Sequence, residues 1–338
     1  MTTTRRPTLE RIRALRGRLY WPYLGVFLAF HLLLPLAFVP QLFSWTGLLL
    51  VPVGNFVFGS MGVNVGYHRL LTHRSFKCPT WLERTFVILG VCSLESGPGH
   101  WVAVHRKHHQ HSDEEPDPHS PLVGFLWGHV GWLVVKSPAT SGLFFHDKYA
   151  RDVFADPFYS GLHRNLMWFW VWVAHASLFF PGGVLVGLAM GWSWPEAAWF
   201  GGSLLVWGVL VRTVYVWHIT WAVNSLSHLW GYRNYDTGEH STNNWFVALL
   251  TNGEGWHNNH HAAPRAASHG HRWWELDLTY QALVLLRRLG LVWDVVAPKV
   301  AEARVIHRGP HRPRRSGRDS ALPSSTPSPD AMQDGDES

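Results

Sequence analysis

Four stretches of this chain, Pro22–Phe43, Trp45–Val65, Leu166–Met190 and Ala197–Trp217, are long and apolar enough to cross a bilayer. A hydrocarbon core of about 30 Å takes roughly 20 helical residues, and inside it every backbone polar group must be satisfied within the segment, so these stretches read as helices. The first pair is nearly contiguous, as is the second, which predicts two hairpins. Neither outer turn contains Lys or Arg, whereas Arg5, Arg6, Arg11, Arg13, Arg16 and Arg18 precede the first stretch. The bias of basic residues toward the inside then places the N-terminus and both long polar stretches in the cytoplasm. Arg212 falls near the inner end of the fourth span, where its side chain is expected to snorkel to the headgroups. The expected fold is an all-α, multi-pass integral membrane protein, with four transmembrane helices in two hairpins under a cytoplasmic cap.

Composition agrees with this layout and narrows the function. Mean hydropathy is near zero because a basic N-terminus, 23 histidines and a polar tail offset the apolar blocks. The 21 tryptophans suit an interfacial aromatic belt. A net charge of +6 raises nucleic-acid binding, but no recognition motif supports it. With two cysteines, Cys78 and Cys92, neither a disulfide framework nor a four-cysteine iron–sulfur cluster can form within one chain. No cleaved signal peptide is expected, since the first apolar block starts near Trp21 and lacks a small-residue cleavage site. Phe86–Leu94 and Leu122–Val135 are too short or Gly-rich to span, and read as interfacial or buried helices. The chain divides into a basic cytoplasmic N-terminus (1–19), a membrane domain (20–306) and a Pro/Ser/Arg-rich, then acidic, disordered tail (307–338).

The chemistry lies in four histidine clusters on the predicted cytoplasmic side. His68 and His73 follow the second span; His105, His108 and His109 form an H-x-x-H-H run. Asn224 and His228 follow the fourth span, and His257, His260 and His261 form a second such run. In H-x-x-H-H the first histidine has neighbours at i+3 and i+4, on one helix face, so each run aims three imidazoles one way. Asn224 and His228 are likewise i and i+4. His68 and His73, five apart, point about 140° apart on a regular helix, and would serve two ions or sit where the helix frays. Nine histidines and an asparagine exceed the four ligands of a structural zinc and suit two ions with open positions. Imidazole alone does not select the metal.

Single histidines carry less information. His31, His175 and His218, in or beside spans, read as structural, and His146, His163, His269 and His271 as solvated loop residues. Bound imidazoles pass their second N–H to a carboxylate or carbonyl, which makes Asp113, Glu114, Glu115, Asp117 and Glu254 candidate partners. Arg69, Arg74 and Lys107 are candidate contacts for a phosphate-bearing head group or for anionic lipid.

Six segments together carry a specific resemblance: Gly66-Tyr-His-Arg-Leu-Leu-Thr-His-Arg74, His105-Arg-Lys-His-His109, Asp117-Pro-His119, His129-Val-Gly-Trp132, Asn224-Ser-Leu-Ser-His228 and Gly253-Glu-Gly-Trp-His-Asn-Asn-His-His261. With Trp273-Trp-Glu-Leu-Asp277 and the run ending at Asp294, the chain resembles the membrane fatty-acid desaturases, specifically the acyl-CoA Δ9 branch, over roughly residues 20 to 297. The resemblance implies two iron ions ligated by the nine box histidines, with Asn224 holding one through water. It implies a mushroom-shaped four-span fold and an O2-dependent reaction that places a cis double bond in a saturated acyl chain carried on CoA or lipid. No His-Pro-Gly-Gly haem motif is present, so electrons are expected from a separate donor of ferredoxin or cytochrome b5 type.

Three other activities compete. A hydroxylase could use the same histidines by rebounding oxygen. A zinc-dependent membrane hydrolase would be expected to show His-Glu-x-x-His, which is absent. A metal transporter would place ionisable residues along a path within the spans, whereas the boxes lie outside them.

Overall fold

The helix beginning at Trp45 does not stop where its apolar run stops. In the computed structural model, which describes residues 19–301, 305 and 306, helix α2 (Trp45–Gly54) continues without a break into a π-helical segment, Asn55–Thr72. Ser44 caps its start, its hydroxyl accepting from Gly47 N at 2.9 Å. Residues 1–18 and 307–338, with the N-terminal arginines and the expected tail, lie outside the described residues.

Four helical stretches are long and apolar enough to cross a membrane: Trp21–Phe38, Trp45–Thr72, Pro157–Ala189 and Trp194–His228. They match the four expected spans in place. The second and fourth run past their expected ends at Val65 and Trp217, since the polar residues there are buried against protein. The same continuous helices therefore carry His68 and Asn224–His228 beyond the apolar stretch. The first contains α1 (Trp21–Leu33), which buries none of its residues within the protein.

Between the second and third spans lie α3 (Thr80–Val91), α4 (Pro98–His111), a π turn at Trp127–Gly131 and α5 (Leu143–Phe154). The third span comprises α6 (Pro157–His163), α7 (Met167–Ser177) and α8 (Phe179–Ala189). The fourth comprises α9 (Trp194–Leu205), a π-helical Val206–Val211 and α10 (Arg212–Ser225). After it come α11 (Trp245–Leu250), α12 (His257–Ala262) and α13 (Leu278–Arg288). Among the described residues the only β features are isolated bridges. Phe86–Leu94 is the buried C-terminal half of α3 and the loop after it; Leu122–Val135 holds the π turn.

Close helix approach relies on glycine. A Cβ on Gly62 would stand 2.3 Å from Gly90 N, so α3 packs backbone to backbone on the α2 extension; Gly183 meets Gly201 in the same way. A core of Tyr67, Leu71, Val87, Val102, Phe145 and Val153 locks α3, α4 and α5 onto that extension.

Arg212 does not snorkel. It is fully buried, its Nε donating to Gly208 O (2.8 Å) and Nη1 to Cys92 O (3.1 Å), with the guanidinium 4.3 Å from the Phe58 ring. The notch left by Gly54 admits its stem, so protein carbonyls rather than headgroups solvate the charge. His31 Nε2 meets His218 Nε2 at 2.9 Å and His218 Nδ1 meets His129 Nε2 at 3.0 Å, linking the first span to the fourth.

Candidate metal centre and acyl cavity

The nine box histidines separate into two groups. Nitrogens of His68, His73, His105, His109 and His260 lie within 4.8 Å of one another, and so do those of His108, His228, His257 and His261. Each H-x-x-H-H run is shared between the groups rather than aimed at one. In α4 the i,i+4 pair His105/His109 joins the first group and His108 the second. In α12 the i,i+4 pair His257/His261 joins the second and His260 the first. The expected 140° divergence of His68 and His73 is absent: His73 N bonds to His68 O at 3.1 Å, an i→i+5 step, and the rings lie 4.9 Å apart. A π-helical ladder brings residues five apart together, which a regular helix does not.

Carboxylates fix the tautomers. His68 Nδ1 meets Glu254 Oε2 at 2.6 Å, His108 Nδ1 meets Asp117 at 3.0 Å, and His228 Nδ1 meets Asp113 Oδ2 at 3.0 Å. With Nδ1–H given to a carboxylate, Nε2 keeps its lone pair. These lone pairs face other Nε2 atoms: His68 to His260 at 3.1 Å, His228 to His257 at 3.0 Å. His73 Nε2 and His108 Nε2 are buried without a hydrogen-bond partner. Converging lone pairs and buried orphan nitrogens are what a cation would satisfy, so the residues present fit a two-ion centre.

Burial, reinforced by neighbouring histidines, holds His73, His105, His109, His257, His260 and His261 well below the usual histidine range, which keeps them neutral and able to ligate. Burial also opposes a charge on His108, but Asp117 and Asp113 outweigh it and raise this group. Burial would raise Asp113; its contacts with His228 and the His240 backbone bring it down to about 2.

Of the expected carboxylate partners, Asp113, Asp117 and Glu254 take that role, while Glu114 is exposed and pairs with no box histidine. Glu239, not anticipated, lies 3.7 Å from both His228 Nδ1 and His261 Nδ1; its place between the third and fourth clusters was the available signal. His269 is a correction. It is buried, not solvated, with its ring 4.5 Å from that of His260, because the loop folds under α12 and Asp277 Oδ2 accepts from its backbone N at 2.8 Å. His119, whose ring is 4.3 Å from that of His108, was legible only as part of a motif. The expected head-group cations are engaged elsewhere. Arg69 is fully buried between Glu254 and Asp277, Arg74 pairs with Asp152, and Lys107 donates to Ala139 O.

Beside both groups runs a cavity of about 1030 Å³, at the upper end of ligand-pocket sizes. His68, His105, His257 and Asn224 line it, together with Asn55, Gly59 and Val63 of the second span and Tyr20, Lys136, Ser137 and Thr140. Val26, Phe27, Leu94, Trp217 and Trp221 make its walls largely apolar.

A model of the fatty acid desaturases matches residues 43–288. The chain belongs to the fatty acid desaturase family. An sn-1 stearoyl-lipid 9-desaturase of Anabaena variabilis is 41% identical over 280 residues, covering 83% of this chain and 95% of that protein. An sn-2 palmitoyl-lipid 9-desaturase of Nostoc sp. is 40% identical over 281 residues, covering 83% and 91%. An acyl-CoA 5-desaturase of Anemone leveillei is 40% identical over 265 residues, covering 78% and 76%. This desaturase is thus a membrane oxidoreductase of lipid metabolism that introduces a double bond into a fatty-acyl chain.

Proposed function

We propose that this desaturase places a cis double bond at Δ9 of a saturated acyl chain carried on a membrane lipid or on CoA. The two acyl-lipid 9-desaturases support the position and the lipid carrier, and the acyl-CoA 5-desaturase, whose name gives another position, supports CoA as a carrier. The two ions are iron: one held by His68, His73, His105, His109 and His260, the other by His108, His228, His257 and His261, with Asn224 reaching it through water. The observation that carries this reading is the five-and-four partition beside one apolar cavity. Five ligands in the first group exceed the four of a structural zinc.

Two irons so held would supply the oxidising chemistry, in which dioxygen, two electrons and two protons are consumed, two hydrogens leave adjacent methylenes and two waters form. The chain's own residues do the rest. Val26, Phe27, Trp217 and Trp221 exclude water and fix the register of the acyl chain. Asp117, Asp113 and Glu254 hold the imidazole protons on Nδ1, leaving Nε2 free. Electrons come from a separate donor of ferredoxin or cytochrome b5 type. Four spans form two hairpins and residues 20–306 are the working domain; the arginine bias of the N-terminus supports a cytoplasmic site, and the Gly183–Gly201 and Gly187–Ala197 approaches are contacts the second hairpin would make.

The test is expression in a host lacking its own desaturase, with fatty acids profiled by gas chromatography–mass spectrometry beside His260→Ala at matched expression. A cis-9 monoene absent from the variant is expected. A hydroxy acid, or no product when donor proteins and ferrous iron are supplied, overturns the proposal.

A further inference from the structure

One carboxyl faces the cavity without belonging to either histidine group. Glu95 lies in the loop between α3 and α4 and lines the cavity with Trp101, Thr220 and Asn224. Its Oε2 accepts from Trp101 Nε1 at 3.3 Å, and the Thr220 hydroxyl is the other polar group beside the carboxyl. The loop is clamped around it. Arg212 donates to Cys92 O, Trp217 Nε1 to Ser93 O and Leu94 O, and the Tyr67 hydroxyl to Ser96 O. Leu94 and Ser96, on either side, both have positive φ, at 57° and 84°. Strained non-glycine residues of this kind persist where the surroundings impose a side-chain direction.

From Glu95, neighbours lead in two directions toward the metal groups. The Trp101 ring stacks on that of His105, with centroids 4.9 Å apart. Thr220, beside the carboxyl, and Asn224 are i and i+4 on α10 and share a face. We propose that Glu95 is the proton-holding group of this desaturase, passing protons through the Thr220 hydroxyl to the water at Asn224. This rests on the desaturase reading above, whose reaction consumes two protons. In each transfer the Glu95 O–H bond breaks as a proton reaches the Thr220 oxygen, and Thr220 releases its own proton to the water. The carboxylate then takes a proton back from bulk solvent once the product has left the cavity. Because Glu95 acts through Thr220, it is a positioning residue for the proton and not a ligand.

Its ionisation fits the task. Burial raises the carboxyl, the Thr220 hydroxyl and Trp101 N–H lower it, and the balance stands at about 7, near which a group can both give and regain a proton. The titratable groups around it are Tyr67 of the α2 extension, Tyr23 of α1, His100 of α4 and Cys92 of its own loop; no cation contributes to its balance.

The test compares wild type, Glu95→Gln and Thr220→Val. Gln keeps an acceptor for Trp101 but carries no exchangeable acid. In metal-free protein, infrared difference spectra should show a carboxylic-acid C=O band that disappears as pH rises through about 7. That band should be missing in E95Q and present in T220V. In iron-loaded protein both variants should retain iron and wild-type KM, while turnover falls about 100-fold, the scale of general acid–base catalysis. Absence of the band from wild type, wild-type turnover in E95Q, or loss of iron in E95Q would each overturn the relay. If wild type itself forms no monoene in this assay, the desaturase reading fails; if wild type and E95Q form it equally, the relay alone fails.

Discussion

Glu254→Gln separates the two metal groups. Glu254 Oε2 takes the His68 Nδ1 proton at 2.6 Å, while Oε1 takes the Arg69 Nη2 proton at 2.9 Å. A glutamine offers one acceptor oxygen and an NH2, so one of these donors loses its partner. Arg69 keeps both oxygens of Asp277 at 3.1 Å, which makes the Arg69 bond the one surrendered and limits the folding cost to about 1.5–3 kcal/mol, the worth of a charge-assisted hydrogen bond. Removing one of two neighbouring carboxylates also relieves Asp277, which burial and Glu254 hold above its usual range. His68 still finds an acceptor, but a neutral one that polarises the imidazole less, and such partner losses weaken metal binding about 10–100-fold. The assay is iron per chain against increasing chelator. The five-histidine group should empty at about 10–100-fold lower chelator than in wild type, while the four-histidine group, whose tautomers depend on Asp117 and Asp113, holds its iron. Equal weakening of both ions, or of neither, would refute the reasoning.

Asp117→Asn should show the reverse selectivity, releasing the ion near His108 first in the same titration. Gly62→Ala places a methyl group 2.3 Å from Gly90 N, which pushes α3 off the helix that carries His68. A destabilisation of about 1–3 kcal/mol, typical of overpacking, should appear as a lowered melting temperature in detergent, with partial iron loss. Burial and neighbouring histidines depress His100 to about 3 and His146 to about 4. Their folded values lie below the unfolded value near 6.5, so their neutral forms cost nothing above that pH and stability falls as pH drops toward 4. Melting temperature against pH should decline in that window for wild type and less steeply for His146→Gln.

The spans were legible because a bilayer sets a length that apolar runs either reach or miss. The boxes were legible because H-x-x-H-H spacing has few uses outside metal binding. What the sequence hid were features decided by packing. The π-helical turns that bring His68 and His73 together leave no mark on residue spacing, and the sharing of each box between two groups depends on how α4 faces α12. Arg69, Arg74 and Lys107 read alike as basic residues near a box, yet one is buried between two acids, one pairs at the surface and one caps a carbonyl. Glu239 lies 11 residues after His228 and 22 before His261, so only its place between those clusters tied it to the site. The carboxyl of Glu95 stands out only once the cavity is drawn around it.

The account stands most directly on where the two ions sit. Crystals of the iron-loaded desaturase, measured at the iron absorption edge, should give two anomalous peaks per chain. One should lie among His68, His73, His105, His109 and His260, the other among His108, His228, His257 and His261. A single peak, or two peaks that divide these nine histidines differently, would contradict it.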